Sequence, residues 1–201
     1  MREIIQDVLT WPWFSQSHGY NFNGWLLKMP GGNICIDPVD PPLEVLEELV
    51  RVGVSQILLT NRNHSRAANQ VRTRTGARTL IHSADAEHAR NQQTELDGEL
   101  RVGGKIGPLT VIGVPGKSPG EVALHWPERR VLFVGDAVIG NPPGQCGLLR
   151  EQVMDDLSWL RTSVKQLLSL DFEILLVGDG EPILRDAKER LRELVATFPD
   201  F

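Results

Sequence analysis

Apolar residues follow two rhythms along this chain. Short apolar runs bounded by turn residues predict strands, and apolar positions three and four apart predict helices. Trp11-Pro12-Trp13-Phe14 and Gly24–Met29 read as strands. Pro30-Gly31-Gly32-Asn33 is a turn signal, and Ile34-Cys35-Ile36-Asp37 completes a hairpin. The pattern then alternates. Asp40 suits an N-cap and Pro41 a first helical position, ahead of Leu43, Leu46, Leu49 and Val50 at helical spacing. Ile57-Leu58-Leu59 and Leu80-Ile81-His82 read as strands on either side of a polar, basic helix ending at Gly76. Strands are expected over 23–29, 33–37, 55–60, 109–113, 121–126, 131–135 and 173–178, and helices over 43–52, 66–75, 151–169 and 183–197. The third helix carries Val153, Leu157, Leu160, Val164 and Leu167 on one face, and Pro182 opens the last. Two β-rich halves, each closed by helices, predict an α/β sandwich. No linker or low-complexity segment separates them, so one domain over 1–201 is expected.

Composition narrows the function classes. A net charge of −5 argues against nucleic acid or an anionic membrane as partner, since both reward clustered Lys and Arg. No apolar run approaches the roughly 20 residues of a membrane span. The opening Met1-Arg2-Glu3 has no signal-peptide layout, and the two cysteines form no CxxC, so a reducing, cytoplasmic setting is expected. Cys35 lies in an apolar run and reads as a buried thiol. Cys146 lies in a Pro- and Gly-rich loop, where a nucleophile is one reading. His18, His82, His88 and His125 are scattered and read as surface or strand residues.

Four apolar runs end in short polar motifs: Ile36-Asp37-Pro38, Leu59-Thr60-Asn61, Val134-Gly135-Asp136 and Val177-Gly178-Asp179-Gly180. A fifth motif, Gly113–Gly120, is a Pro- and Gly-rich loop after Val111-Ile112. In α/β folds functional groups gather in the loops that leave strand ends. The order of these motifs resembles the metallo-β-lactamase superfamily. Thr60-Asn61-Arg62-Asn63-His64-Ser65-Arg66 is similar to its Thr-His-x-His-x-Asp-His. Val114-Pro115-Gly116-Lys117-Ser118-Pro119-Gly120 is similar to its Thr-Pro-Gly-His-Ser-Pro-Gly. Leu132-Phe133-Val134-Gly135-Asp136 and Gly178-Asp179-Gly180-Glu181-Pro182 resemble its Leu-Phe-x-Gly-Asp and Gly-His-Gly-x-Pro. The resemblance spans nearly the whole chain. It implies a four-layer αββα sandwich with its site at the edge between the sheets.

The same resemblance implies a former metal-site cleft formed by Asn61, Asn63, His64, Ser65, Arg66, Lys117, Asp136 and Asp179. In the family the matched positions hold two metal ions that activate a water for hydrolysis. Here Asn61 and Asn63 stand for two His ligands, Ser65 for Asp, and Arg66, Lys117 and Asp179 for His. Asp136 alone keeps the family residue, and His64 falls on a variable position. Arg cannot deprotonate in a protein, and zinc wants imidazole, thiolate or carboxylate. No stoichiometric zinc is therefore expected, with a weak magnesium-type site on Asp136 and Asp179 left open. Asn63 and Ser65 also suit a helix cap, and Asp179 the start of the last helix. Arg66 and Lys117 balance Asp136 and Asp179 in charge, so Lys117 is expected within salt-bridge reach of one aspartate. Catalytic residues stay unassigned. The expected function is a pseudoenzyme, or a protein that binds a small ligand or partner in the old cleft. Two alternatives stand beside it: a hydrolase with a rebuilt, single-metal site on Asp136 and Asp179, and a structural or assembly role marked by an exposed apolar patch near Trp11 and Trp13. The partner is an unspecified small molecule or protein, and a homo-oligomer is compatible with the sequence.

Overall fold

The computed structural model describes residues 1–199, and the chain falls into two compact units, Met1–Arg101 and Val102–Phe201. In the first unit β1 (Arg2–Ile5), β2 (Val8–Ser15), β3 (Tyr20–Leu27), β4 (Ile34–Ile36), α1 (Leu43–Val52), β5 (Gln56–Leu59), α2 (Ala68–Thr75), β6 (Arg78–Ile81), α3 (Ser83–Asn91) and β7 (Gly98–Glu99) follow in order. Its seven strands form one sheet in sequence order, antiparallel from β1 to β4 and parallel from β4 to β7. The switch is the one the sequence implies: the hairpin at Pro30–Asn33 closes the antiparallel part, and helical crossovers build the parallel part. Leu26, Cys35, Leu49, Ile57, Leu59 and Val71 fill its core. Gly24 admits the indole of Trp11, because a Cβ there would sit 2.7 Å from the ring. Trp11 Nε1 then donates to the Val39 carbonyl at 3.0 Å.

The second unit runs β8 (Lys105–Ile106), β9 (Leu109–Gly113), β10 (Val122–Trp126), β11 (Val131–Val134), α4 (Leu157–Leu167), β12 (Ile174–Val177) and α5 (Ala187–Ala196). Its five strands are ordered β12-β11-β10-β9-β8, with β11 and β12 parallel and the rest antiparallel. Leu160, Val164, Leu167 and Leu191 bury their helices' apolar faces over Ala123, Leu132, Leu175 and Val177. Burying one such leucine stabilises by about 1.5–3 kcal/mol.

Several boundaries differ from the sequence expectation. The first helix begins after Pro42, with no side-chain cap from Asp40, and Leu43 and Val50 are exposed. The expected third helix begins at Leu157, where Asp156 accepts from the Trp159 amide at 2.8 Å. Residues 151–153 form only a 3₁₀ turn and leave Val153 exposed. Pro182 opens no helix: Ile183 bridges back to Leu175, Asp186 takes φ 54°, and α5 starts at Ala187. Helix α3 is missing from the apolar pattern because alanines and Asp85 carry its burial. Among the described residues no helix is long and apolar enough to cross a membrane.

Candidate functional site

Each unit carries a buried polar cluster at its strand ends. In the second unit β11 and β12 are parallel and in register, with Val134 opposite Val177. Asp136 and Asp179 each stand two residues beyond that pair. Adjacent strands lie ≈ 4.7–4.9 Å apart, and a carboxylate oxygen of each residue lies within 4.8 Å of the other's. The turn around Asp179 is held by backbone: Gly178 N donates to Val134 O at 2.8 Å, and Gly140 N donates to Asp179 O at 2.9 Å. At Gly140 a Cβ would overlap the Glu181 carbonyl oxygen, so only glycine allows this approach. Glu121, also buried, accepts the Ala137 amide at 2.7 Å and fixes the loop after Asp136.

Lys117 reaches this cluster from the Pro- and Gly-rich loop. Its Nζ is 2.8 Å from Asp136 Oδ2, and both side chains are 6% exposed. This is the ion pair the charge balance predicts. The loop is pinned to the start of α4, with Gly116 O accepting from Asp156 N at 2.7 Å and Pro115 O from Ser163 Oγ at 2.8 Å. Gly116 has φ 134°, and a Cβ there would overlap the Leu160 backbone.

In the first unit the buried group is Asp37, which takes φ 48° directly after β4. Its Oδ1 accepts from Thr60 N at 2.8 Å, and its Oδ2 accepts from Thr60 Oγ1 at 2.5 Å. His64 Nδ1 lies 2.8 Å from the same Oδ2, and His64 is fully buried. A carboxylate only accepts, so Nδ1 carries the proton, and this contact sets the ring's orientation and tautomer. Asn61 Oδ1 accepts from the Asn63 amide at 2.8 Å, a tight turn that swings His64 inward.

The polar segment between β5 and α2 differs from expectation in its caps. Neither Asn63 nor Ser65 caps α2: its N-cap is Ala67, without a side-chain bond, and Ser65 contributes its carbonyl to Ala68 N. Asp179 lies well before α5 and does not start it. Arg66 stacks on Phe22, its Cζ 4.3 Å from the ring centroid. Sequence reading missed Asp37 as a member of the site, although the Ile-Asp-Pro ending of its strand marked it. His82, read as a strand or surface residue, instead caps α3 by accepting from Ala84 N. Of the region whose exposure would mark an assembly role, Trp11 is buried, whereas Trp13 and Phe14 are 43% and 57% exposed.

Neither cysteine is primed as a nucleophile. Cys35 is fully buried, and burial followed by the Asp37 charge pushes its thiol far up. Burial, then Glu193, pushes Cys146 up to about 12. The thiolate is the reactive form, so at pH 8 Cys146 should react with iodoacetamide far more slowly in the native protein than in urea. Equal rates would refute its burial.

These elements, in this order, define an α/β fold of metallo-β-lactamase type. The chain is a member of the metallo-β-lactamase superfamily, whose family model matches residues 2–198. It is 34% identical over 159 residues to a hydroxyacylglutathione hydrolase of Cereibacter sphaeroides, covering 77% of this chain and 59% of the relative. The chain thus spans about 59% of that relative's length. The protein TTHA1623, solved in a di-iron-bound form, superposes with a TM-score of 0.68 at 26% identity, covering 86% of this chain and 93% of that one. A metallo-β-lactamase family protein of Thermus thermophilus, TTHA1429, gives a TM-score of 0.73 at 21% identity over 96% of this chain and 80% of its own. The α/β fold of metallo-β-lactamase type expected from sequence is the observed one.

The expectation of no metal cofactor is corrected by these relatives, since metal use belongs to the family and TTHA1623 is di-iron-bound. The physical reason is that ligand atoms survive outside the matched positions: His64, one place off the motif, offers a buried imidazole. The β11–β12 register brings together Asp136 and Asp179, the pair that the sequence offers as a single-metal alternative. His64, Asp136 and Asp179 are each buried and each offers a ligand atom. The two aspartates fit a hard, oxygen-preferring divalent ion. They do not reproduce an imidazole-rich zinc set.

Proposed function

We propose that this chain is a metal-dependent hydrolase with a rebuilt site, in which Asp136 and Asp179 hold a single divalent ion, and that its substrate is an acyl thioester of the hydroxyacylglutathione kind. The observation that carries the reading is the buried carboxylate pair within 4.8 Å. Two buried carboxylates side by side repel, and a cation relieves that cost. An ion held there would supply Lewis-acid polarisation of the thioester carbonyl and an acidified water. The protein's own part is preorganisation. Lys117 fixes the Asp136 carboxylate through Oδ2, and the Gly140–Gly180 bridge holds the backbone at Asp179. The substrate class is supported by the relatives named hydroxyacylglutathione hydrolase.

The test is turnover of a hydroxyacylglutathione by protein supplied with Mn²⁺, Mg²⁺ or Fe²⁺. Expected is metal-dependent hydrolysis that is abolished by chelator and reduced at least about a hundredfold in Asp136→Asn and Asp179→Asn. Turnover that is absent with every metal, or indifferent to both substitutions, would overturn the reading. A second reading, a non-hydrolytic binding protein, is favoured by the Lys117 ion pair, because the ammonium already offsets one of the two acids. Absent turnover with intact ligand binding would select it.

A further inference from the structure

Glu121 is a buried acid of the second unit, 1% exposed, that the proposed hydrolysis does not use. It stands directly before β10, where the loop that carries Lys117 ends. β10 and β11 pair antiparallel, with Leu124 opposite Phe133. Continued to the ends of both strands, that register sets Glu121 opposite Asp136. Its side-chain Oε1 accepts from Ala137 N at 2.7 Å. Its carbonyl accepts from Val114 N at 2.9 Å, and its amide donates to Ser118 O at a longer 3.5 Å. Glu121 therefore ties together the two backbone segments that carry the Lys117–Asp136 ion pair, the Val114–Ser118 loop and the turn at Asp136-Ala137.

Holding an amide N–H requires an oxygen, not a charge. A buried carboxylate is costly to desolvate, and the amide of a glutamine would offer the same acceptor at less cost. The surroundings add to the cost. Among the described residues of the second unit, the buried Asp, Glu, Lys and Arg side chains are Lys117, Glu121, Asp136 and Asp179. Three acids against one ammonium leave a formal charge of −2, which one divalent ion offsets. We infer that Glu121 is a positioning residue of the ion site: it clamps the Asp136 turn onto the Lys117 loop, and its charge draws a divalent ion to the two aspartates without itself holding it. The inference rests on the reading of Asp136 and Asp179 as the ion's ligands. Groups that orient a metal's ligands change its affinity about 10–100-fold when replaced.

Mn²⁺ titration of the full chain, with thermal denaturation in the absence of metal, tests both parts. Glu121→Gln keeps an acceptor oxygen for Ala137 N and loses the charge. It should melt at or above the wild-type temperature, because like charges no longer crowd, yet bind Mn²⁺ at least about tenfold more weakly. A residue that only braced the fold would leave Mn²⁺ affinity unchanged in this variant. Glu121→Ala loses the clamp as well, and should melt lower and bind Mn²⁺ more weakly still. Glu121→Asp keeps the charge at a shorter reach and should bind Mn²⁺ severalfold more tightly than Glu121→Ala, which decides the matter should Glu121→Gln fail to fold. Wild-type uptake with the same affinity in Glu121→Gln, Glu121→Asp as weak as Glu121→Ala, or Glu121→Gln melting as low as Glu121→Ala would overturn the inference and leave the hydrolase reading standing. No saturable uptake by the wild type would overturn both.

Discussion

Replacing Lys117 by Met should lower stability by roughly 3–5 kcal/mol, because it takes the ammonium from the Asp136 carboxylate in a site where both side chains are 6% exposed. The loss is that of a broken buried pair, not of a surface salt bridge, which is worth about 0–1 kcal/mol. Urea denaturation of Lys117→Met, Asp136→Asn and the double variant measures it. The double variant should cost less than the sum of the single changes, since removing the second partner removes the charge whose counterion the first change took away. Added Mn²⁺ should return part of the stability lost in Lys117→Met, because the ion restores positive charge beside Asp136. Strictly additive losses would show that the contact carries no coupling, and an effect under about 1 kcal/mol would place Lys117 among ordinary surface residues.

Asp37→Ala should be comparably damaging, at roughly 3–5 kcal/mol. It removes the acceptor for the Thr60 amide, the Thr60 hydroxyl and His64 Nδ1, all in a fully buried setting. Each buried donor left without an acceptor costs about 1–3 kcal/mol. Asp37→Asn should cost less. Asn tolerates the left-handed backbone that φ 48° requires and keeps one acceptor oxygen. Thermal denaturation of the two variants should rank them in that order. Equal melting temperatures for wild type and Asp37→Ala would contradict the network.

The strand-end motifs are legible in the sequence because their local grammar is strong: an apolar run followed by Gly-Asp or Pro-Gly can be seen without the fold. Lys117 can be paired with an aspartate from the charge balance over the positions that the family resemblance matches. The side-by-side placement of Asp136 and Asp179 is not visible in that way, because it depends on β11 and β12 sharing a parallel register across an intervening helix. His64 escapes for a related reason. Its burial beside Asp37 depends on β4 and β5 running side by side, which no local motif displays. The bounds of α4 and α5 slip because apolar periodicity continues into Val153 and Leu184, whereas Asp156 and Asp186 end the preceding loops. Helix α3 carries too little hydrophobicity to announce itself.

The claim that this chain's site takes a metal through its two aspartates is tested most directly by Mn²⁺ binding, followed by electron paramagnetic resonance on the purified protein. Saturable uptake of about one Mn²⁺ per chain is expected, weakened at least about tenfold in Asp179→Asn and tightened in Lys117→Met. No saturable Mn²⁺ binding, or binding that is the same in wild type, Asp136→Asn and Asp179→Asn, would contradict it.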